Sequence, residues 1–208
     1  MYIPPAFRVD DVADIHRAMR EARSATLVTA TEEGLVGTTL PMLLEESEGQ
    51  NGTLYAHVAR ANPQWKLVPT CEAMAIFTGP EAYITPSWYA TKQETHKVVP
   101  TWDYVAVHAY GPVDFFDNAD RLLDVVTRLT NLHEQTRTEP WAVADAPAAF
   151  IKSQLRGIVG LRMPITRLEG KRKVSQNYSA ADRAGVIKGL SSSDRPEDRV
   201  VASLIPNG

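Results

Sequence analysis

Strand-forming segments follow one another in this chain through connections too short to carry a crossover helix, and that limits the sheet they can build. Residues 25–31 read Ala-Thr-Leu-Val-Thr-Ala-Thr, with Leu27 among β-branched neighbours, and end at Glu32-Glu33-Gly34. Gly34 is free to take a positive φ, so residues 35–44 return as the second strand of a hairpin. Further strands are predicted at 53–59, at 73–78 (stopped by Gly79-Pro80), at 104–116 and at 157–168. Parallel neighbours need a connection of about a dozen residues or more, so this order predicts a mainly antiparallel sheet that closes into a barrel. Helices fall outside the strand run. Asp10 caps one to about Arg23, with Val12, Ile15, Ala18, Met19 and Ala22 on its inner face. Asp117 caps another to about 136, and shorter ones cover 147–155, 179–190 and 195–204. The fold class is α+β with peripheral helices.

Pro41 sits inside the return strand. Without an N–H it marks an edge, a bulge, or a place where backbone groups face a ligand. A second proline-rich feature lies at residues 81–113. Two Trp and three Tyr fall within residues 83–104, in a chain with four Trp and seven Tyr. Pro86-Ser87-Trp88-Tyr89 and Pro100-Thr101-Trp102-Asp103-Tyr104 repeat one pattern: proline, hydroxyl residue, Trp, then Tyr. Two readings are open. Rigid aromatics beside hydroxyls can stack on a flat, part-polar ligand and bond its edge. Equally, they can form an aromatic core bounded by proline turns.

At 208 residues, 44% hydrophobic and 23% charged, the composition is that of a water-soluble globular chain with one good-sized core. A net charge of -3 gives no general reason to bind nucleic acid. The single Cys71 cannot form an internal disulfide; it is predicted to be a small core residue in a cytoplasmic protein. Met1-Tyr2-Ile3-Pro4-Pro5 lacks the basic start and apolar run of a signal peptide, and no segment has the length to span a bilayer. The five histidines have no ligand spacing, so no metal site is predicted. Glycine-rich nucleotide motifs and a Gly-x-Ser-x-Gly elbow do not occur. Lys171-Arg172-Lys173 suits a contact to phosphate or, equally well, a basic turn in water. Asn62-Pro63 opens a short helix with Arg60 and Lys66 beside it, which suits either a phosphate or plain solvent.

Taken together, several ordered motifs resemble the PaiB family, the FMN-binding negative transcriptional regulators. They are Met1-Tyr2-Ile3-Pro4-x-x-Phe7, residues 57–65 (His-Val-Ala-Arg-Ala-Asn-Pro-Gln-Trp), Tyr83-Ile84-x-Pro86-Ser87-Trp88-Tyr89, Val99-Pro100-Thr101-Trp102-x-Tyr104 and Ser175-Gln176-Asn177. The resemblance covers nearly the whole chain. Asp103 is a departure, because Asn is expected between that Trp and Tyr; it would alter a hydrogen bond at the rim. The resemblance implies an FMN-binding split β-barrel, also seen in pyridoxamine-phosphate oxidases, and a homodimer with flavin at the subunit interface. On that analogy Thr38, Thr39, Leu40, Pro41 and Met42 lie along the isoalloxazine ring, with His57 and Val58 also at the cofactor. Arg60, Asn62 and Lys66 take the phosphate. Trp88 and Tyr89 come from the other subunit and cover the ring, Ser87 is also at the cofactor, and Gln176 and Asn177 close the site. Residues 1–170 would form the flavin domain and 171–208 a C-terminal helical extension.

Two roles follow from such a cofactor. One is a negative transcriptional regulator or flavin sensor, with a weak case for direct DNA contact. The other is a flavin-dependent oxidoreductase or flavin reductase whose regulatory effect is indirect. Whether the chain is an enzyme is open. Trp88, at the edge of a loop, is predicted to reach the ring, whereas Trp102 leads straight into a strand and is predicted to be held by sheet packing.

Overall fold

The computed structural model describes residues 1–207. In chain order the elements are β1 (Arg8–Val9), α1 (Val12–Ala22), β2 (Ser24–Thr31), β3 (Gly34–Pro41), β4 (Leu43–Glu45), β5 (Thr53–Ala59), β6 (Ala73–Ile84), α2 (Thr91–Thr95), β7 (Thr101–Gly111), β8 (Asp114–Phe116), α3 (Ala119–Glu134), α4 (Ala148–Leu155), β9 (Ile158–Pro164), β10 (Arg167–Lys173), α5 (Ala180–Ser191) and α6 (Pro196–Leu204). The strands form a six-stranded sheet, β1-β10-β7-β6-β2-β3, and a four-stranded sheet, β4-β5-β9-β8. The β2–β3, β4–β5, β5–β9 and β8–β9 pairs are antiparallel, as the short turns demanded.

Neither sheet closes on itself, so the closed barrel expected from hairpin order is corrected to a split one. The chain changes sheets four times, and proline stands at each change. Pro41 ends β3, Pro63 and Pro69 separate β5 from β6, Pro112 follows β7, and Pro164 ends β9. A residue that cannot donate to a ladder is a natural place for a strand to leave one.

Two compact units divide the chain. The first comprises Met1–Ala22, Thr78–Val107 and the chain from Glu169 on; the second comprises Arg23–Phe77 and His108–Leu168. In the second unit Leu27, Leu54, Leu161 and Met163 are fully buried. There α3 packs Leu122, Val125 and Leu129 against Phe116, Leu155, Tyr55 and Leu43. Gly160 admits that layer, because a Cβ there would lie 2.4 Å from the Phe116 ring. In the first unit α5 and α6 bury Val186, Leu190, Val201, Ala202 and Ile205 against Ala82, Ile84, Tyr89 and Val174.

Three expectations change. Strand β6 runs on through Gly79-Pro80 to Ile84 instead of stopping at Thr78. Its pairing with β2 covers only Met74 to Ile76, so beyond that point one edge is free and tolerates a proline. Lys171-Arg172-Lys173 is not a turn but the end of β10, where Lys171 pairs with Arg8 of β1. Each cation is engaged within the unit: Lys171 lies 4.9 Å from the Tyr104 ring, while Arg172 and Lys173 meet carboxylates, 3.8 Å from Asp14 and 3.2 Å from Asp103. Cys71 is exposed, in the loop before β6, and not in the core. Among the described residues no helix is long and apolar enough to cross a membrane.

Candidate functional site

In the second unit, predicted site residues 38–41 lie on β3 and Asn62 is bonded to that strand. That strand is last in its sheet, so its outer edge carries backbone N–H and C=O groups with no neighbouring strand. Thr38 Oγ1 accepts from Asn62 Nδ2 at 2.9 Å, and Asn62 Oδ1 caps the following 3-10 turn, Pro63–Lys66, by accepting from Gln64 N at 2.9 Å. The Gln64 amide is 1% exposed. Its Nε2 donates to Leu27 O, Thr29 Oγ1 and Val36 O at 3.1–3.3 Å, which pins the turn to both strands of the β2–β3 hairpin. Sequence reasoning missed Gln64, although it stands within the 57–65 motif.

The four residues 38–41 of β3 and Met42 just beyond it do not present alike. Thr39 and Pro41 are exposed and Thr38 is half-buried, but Leu40 and Met42 send their side chains into the core. Only the backbone of those two can face a ring. Thr39 Oγ1 is bonded to Thr26 Oγ1 at 2.9 Å.

The three residues expected at the phosphate also separate. Lys66 is exposed, has no ion-pair partner among the described residues, and holds its Nζ 5.4 Å from the centre of the Trp65 ring. Arg60 is anchored by Arg156 O at 2.8 Å and Ile158 O at 3.2 Å, with Nη1 3.6 Å from Asp117. A phosphate there would compete with a carboxylate. Asn62 spends its side chain on the cap and on Thr38.

Val58 is a core residue, 3% exposed. His57 alternates with it, on the Tyr55 side of β5 that α3 covers, and its Nδ1 is enclosed without a partner. Burial pushes its pKa below the ordinary 6.5. The folded protein therefore holds it neutral, while the unfolded chain takes up a proton below that value. Stability is expected to be level above about pH 6.5 and to fall as pH drops below it. Melting curves across that range check this, and His57→Gln is expected to flatten the slope.

In the first unit the 3-10 turn Pro86–Trp88 is capped by Thr85, whose Oγ1 accepts from Ser87 N at 3.2 Å. Ser87 is exposed and Trp88 is half-buried on α5. Tyr89 differs from expectation: it is 2% exposed and stacked on Tyr178 with ring centres 4.9 Å apart. The ring is held inside the core of its own unit. Its hydroxyl is enclosed without a well-aligned hydrogen bond, and burial, then Tyr178, pushes the phenol well above its ordinary range. Trp102 is the more open of the two motif indoles, 42% exposed, tilted against Tyr83 and donating to Glu81 at 3.3 Å.

The closing segment is likewise mostly committed. Gln176 Nε2 donates to Ala6 O and Arg172 O, and its Oε1 accepts from Val174 N, so both amide hydrogens are engaged; Asn177 is exposed. Asp103 lies at no rim. It is fully buried, with Oδ1 3.2 Å from Lys173 Nζ and Oδ2 accepting from Ser175 Oγ at 2.6 Å. Among the described residues no group of three His, Cys, Asp or Glu is placed to hold a metal.

A family model described as "Putative FMN-binding domain" matches residues 1–167. The chain belongs to this family. FMN is its cofactor, and the likeness to PaiB seen in the sequence holds along the chain. Protease synthase and sporulation protein PAI 2 of Bacillus subtilis (strain 168) is 31% identical over 206 residues, covering 99% of this chain and 96% of the relative. Among solved structures, the conserved hypothetical protein Rv2991 from Mycobacterium tuberculosis aligns with a TM-score of 0.58 at 12% identity, over 86% of this chain and 94% of that one. The FAD and heme binding protein from Mycobacterium smegmatis aligns with a TM-score of 0.57 at 12% identity, over 80% and 73%. Likeness at such identity shows a shared fold. The FMN-binding family and these neighbours agree with the split barrel.

The residues around β3 fit a phosphorylated flavin. A bare backbone edge suits the donors and acceptors of the ring's polar rim, and an ammonium without a carboxylate suits a phosphate.

Proposed function

We propose that this protein is an FMN-dependent sensor of the regulatory type, a homodimer with flavin held between the subunits. The observation that carries the flavin reading is the open outer edge of β3 beside Lys66, on a turn that Asn62 and Gln64 tie to that strand. The regulatory part is supported by near-complete alignment with a Bacillus protein named for protease synthesis and sporulation. When bound, FMN supplies a redox-active ring; the protein binds it, orients it and limits its access to water. In this reading the backbone from Thr38 to Met42 meets the polar edge of the ring. Lys66 takes the phosphate, with Asn62 holding the turn and Arg60 in support. Trp88 of the second subunit covers the ring. The engagement of Arg172 and Lys173 with carboxylates and of Lys171 with the Tyr104 ring argues against that run as a contact to DNA.

The visible spectrum of the purified protein tests the reading at once. Flavin bands and a dimer in sedimentation with FMN present are expected, because a ligand bound across an interface stabilises the associated state. A monomer under those conditions sinks the dimer. Bleaching by NAD(P)H, without salt-sensitive binding to a promoter fragment, would replace the sensor with an oxidoreductase.

Lys66→Ala tests the phosphate assignment. A charge-assisted hydrogen bond contributes roughly 1.5–3 kcal/mol, so FMN is expected to bind about tenfold or more weakly. Riboflavin, which has no phosphate, is expected to bind as before. Equal losses for the two ligands in parallel titrations would remove Lys66 from the phosphate site.

A further inference from the structure

One face of α5 carries Asp182, Gly185 and Gly189, three and then four residues apart and so aligned along the helix. All three meet the segment from Trp88 to Thr91. Asp182 is 4% exposed and accepts from Thr91 N at 2.9 Å and Thr91 Oγ1 at 2.7 Å. Burial works against its charge, but these bonds and the one from Ser179 outweigh it, and its pKa falls below the ordinary value. A Cβ on Gly185 would lie 1.9 Å from the Trp88 carbonyl oxygen. One on Gly189 would lie 2.2 Å from Cε2, 2.3 Å from Cδ2 and 2.6 Å from Nε1 of the indole. Cε2 and Cδ2 form the bond shared by the two rings, so a point that close to both stands above the ring face. The indole therefore lies flat on the helix backbone at Gly189. Neither glycine has a positive φ, so these positions demand space and not backbone freedom.

We propose that α5 is the positioning element of the aromatic cover. Gly185 and Gly189 seat Trp88 by one face, Asp182 fastens the start of α2 beyond it, and the other face is held ready for a planar ring. The proposal rests on the reading that Trp88 covers the flavin. A ring supported from behind loses little further freedom when it stacks, which is how preorganisation raises affinity.

The test is a double-mutant cycle on the full-length protein, titrated with FMN and with riboflavin. Trp88→Ala is expected to weaken both ligands about tenfold, since an aromatic stack is worth roughly a factor of ten and involves the ring, not the phosphate. Gly189→Ala pushes a methyl group into the indole. It is expected to weaken both ligands by a similar factor and to add nothing once Trp88 is Ala. An undiminished loss in that background overturns the proposal. If Trp88→Ala leaves both affinities unchanged, the cover reading fails instead. The seat is then judged by the protein's indole emission, which Gly189→Ala shifts if the seat exists and leaves alone if it does not. Should Gly189→Ala fail to fold, Thr91→Val removes one bond to Asp182 at less risk. It is expected to weaken both ligands a few-fold with Trp88 present and not without it; equal losses again overturn the proposal.

Discussion

Replacing Asp103 with Ala is expected to destabilise the protein by about 3–5 kcal/mol, the usual result of removing one partner from a buried ion pair. Asp103 is fully buried, while the Lys173 side chain retains 19% exposure. With the carboxylate gone, the Lys173 ammonium keeps Thr101 Oγ1 at 2.8 Å and the Trp102 carbonyl at 2.6 Å but loses its counter-charge. Ser175 also loses its acceptor. It is a buried residue held at φ 57, a left-handed conformation that a serine adopts at a cost and keeps only when its surroundings fix it. Asp103→Asn keeps an acceptor for Ser175 or Lys173 at nearly the same volume, and about 1 kcal/mol is expected. Denaturant unfolding of the two variants checks the difference. Losses of equal, small size would mean that the ammonium reaches water and the pair contributes little.

Gln64→Leu is expected to cost about 3 kcal/mol and, unlike Asp103→Ala, to weaken FMN as well. A leucine fills the space but leaves the Leu27 and Val36 carbonyls and the Thr29 hydroxyl short of a donor, and an unmet buried group costs roughly 1–3 kcal/mol. The same three bonds hold the turn that carries Asn62 and Lys66 against β3. Loosening it moves the ammonium relative to the strand edge, so FMN is expected to lose more affinity than riboflavin. A stability loss with FMN affinity intact would separate this turn from the site.

Much of the fold was legible because its signals are local. The β2–β3 hairpin follows from alternation and Glu32-Glu33-Gly34, and β5 spans the predicted 53–59. Apolar spacing placed α3, and Ser179 starts α5 by accepting from Asp182 N at 3.1 Å. Pro41 pointed to an edge, a bulge or a ligand-facing stretch, and β3 is an edge strand; it ends at Pro41 instead of running on to residue 44.

The site was less legible. Alternation along β7 could have shown that Trp102 faces out and Asp103 in, since Asp103, Val105, Val107 and Ala109 share the buried face. Proline and aromatic spacing hid that period-two pattern. The fates of Tyr89, Asp182 and the Lys171-to-Lys173 run had no such local sign. Tyr89 is buried because α5 and α6, nearly a hundred residues later, close over it, and Lys173 is neutralised by a carboxylate seventy residues earlier in the chain. A sequence pattern reports which residues avoid water and where a donor is missing. Which charge meets which, and whether an aromatic ring ends at a rim or inside a core, depends on partners far apart in the chain, and only the packed structure brings those together.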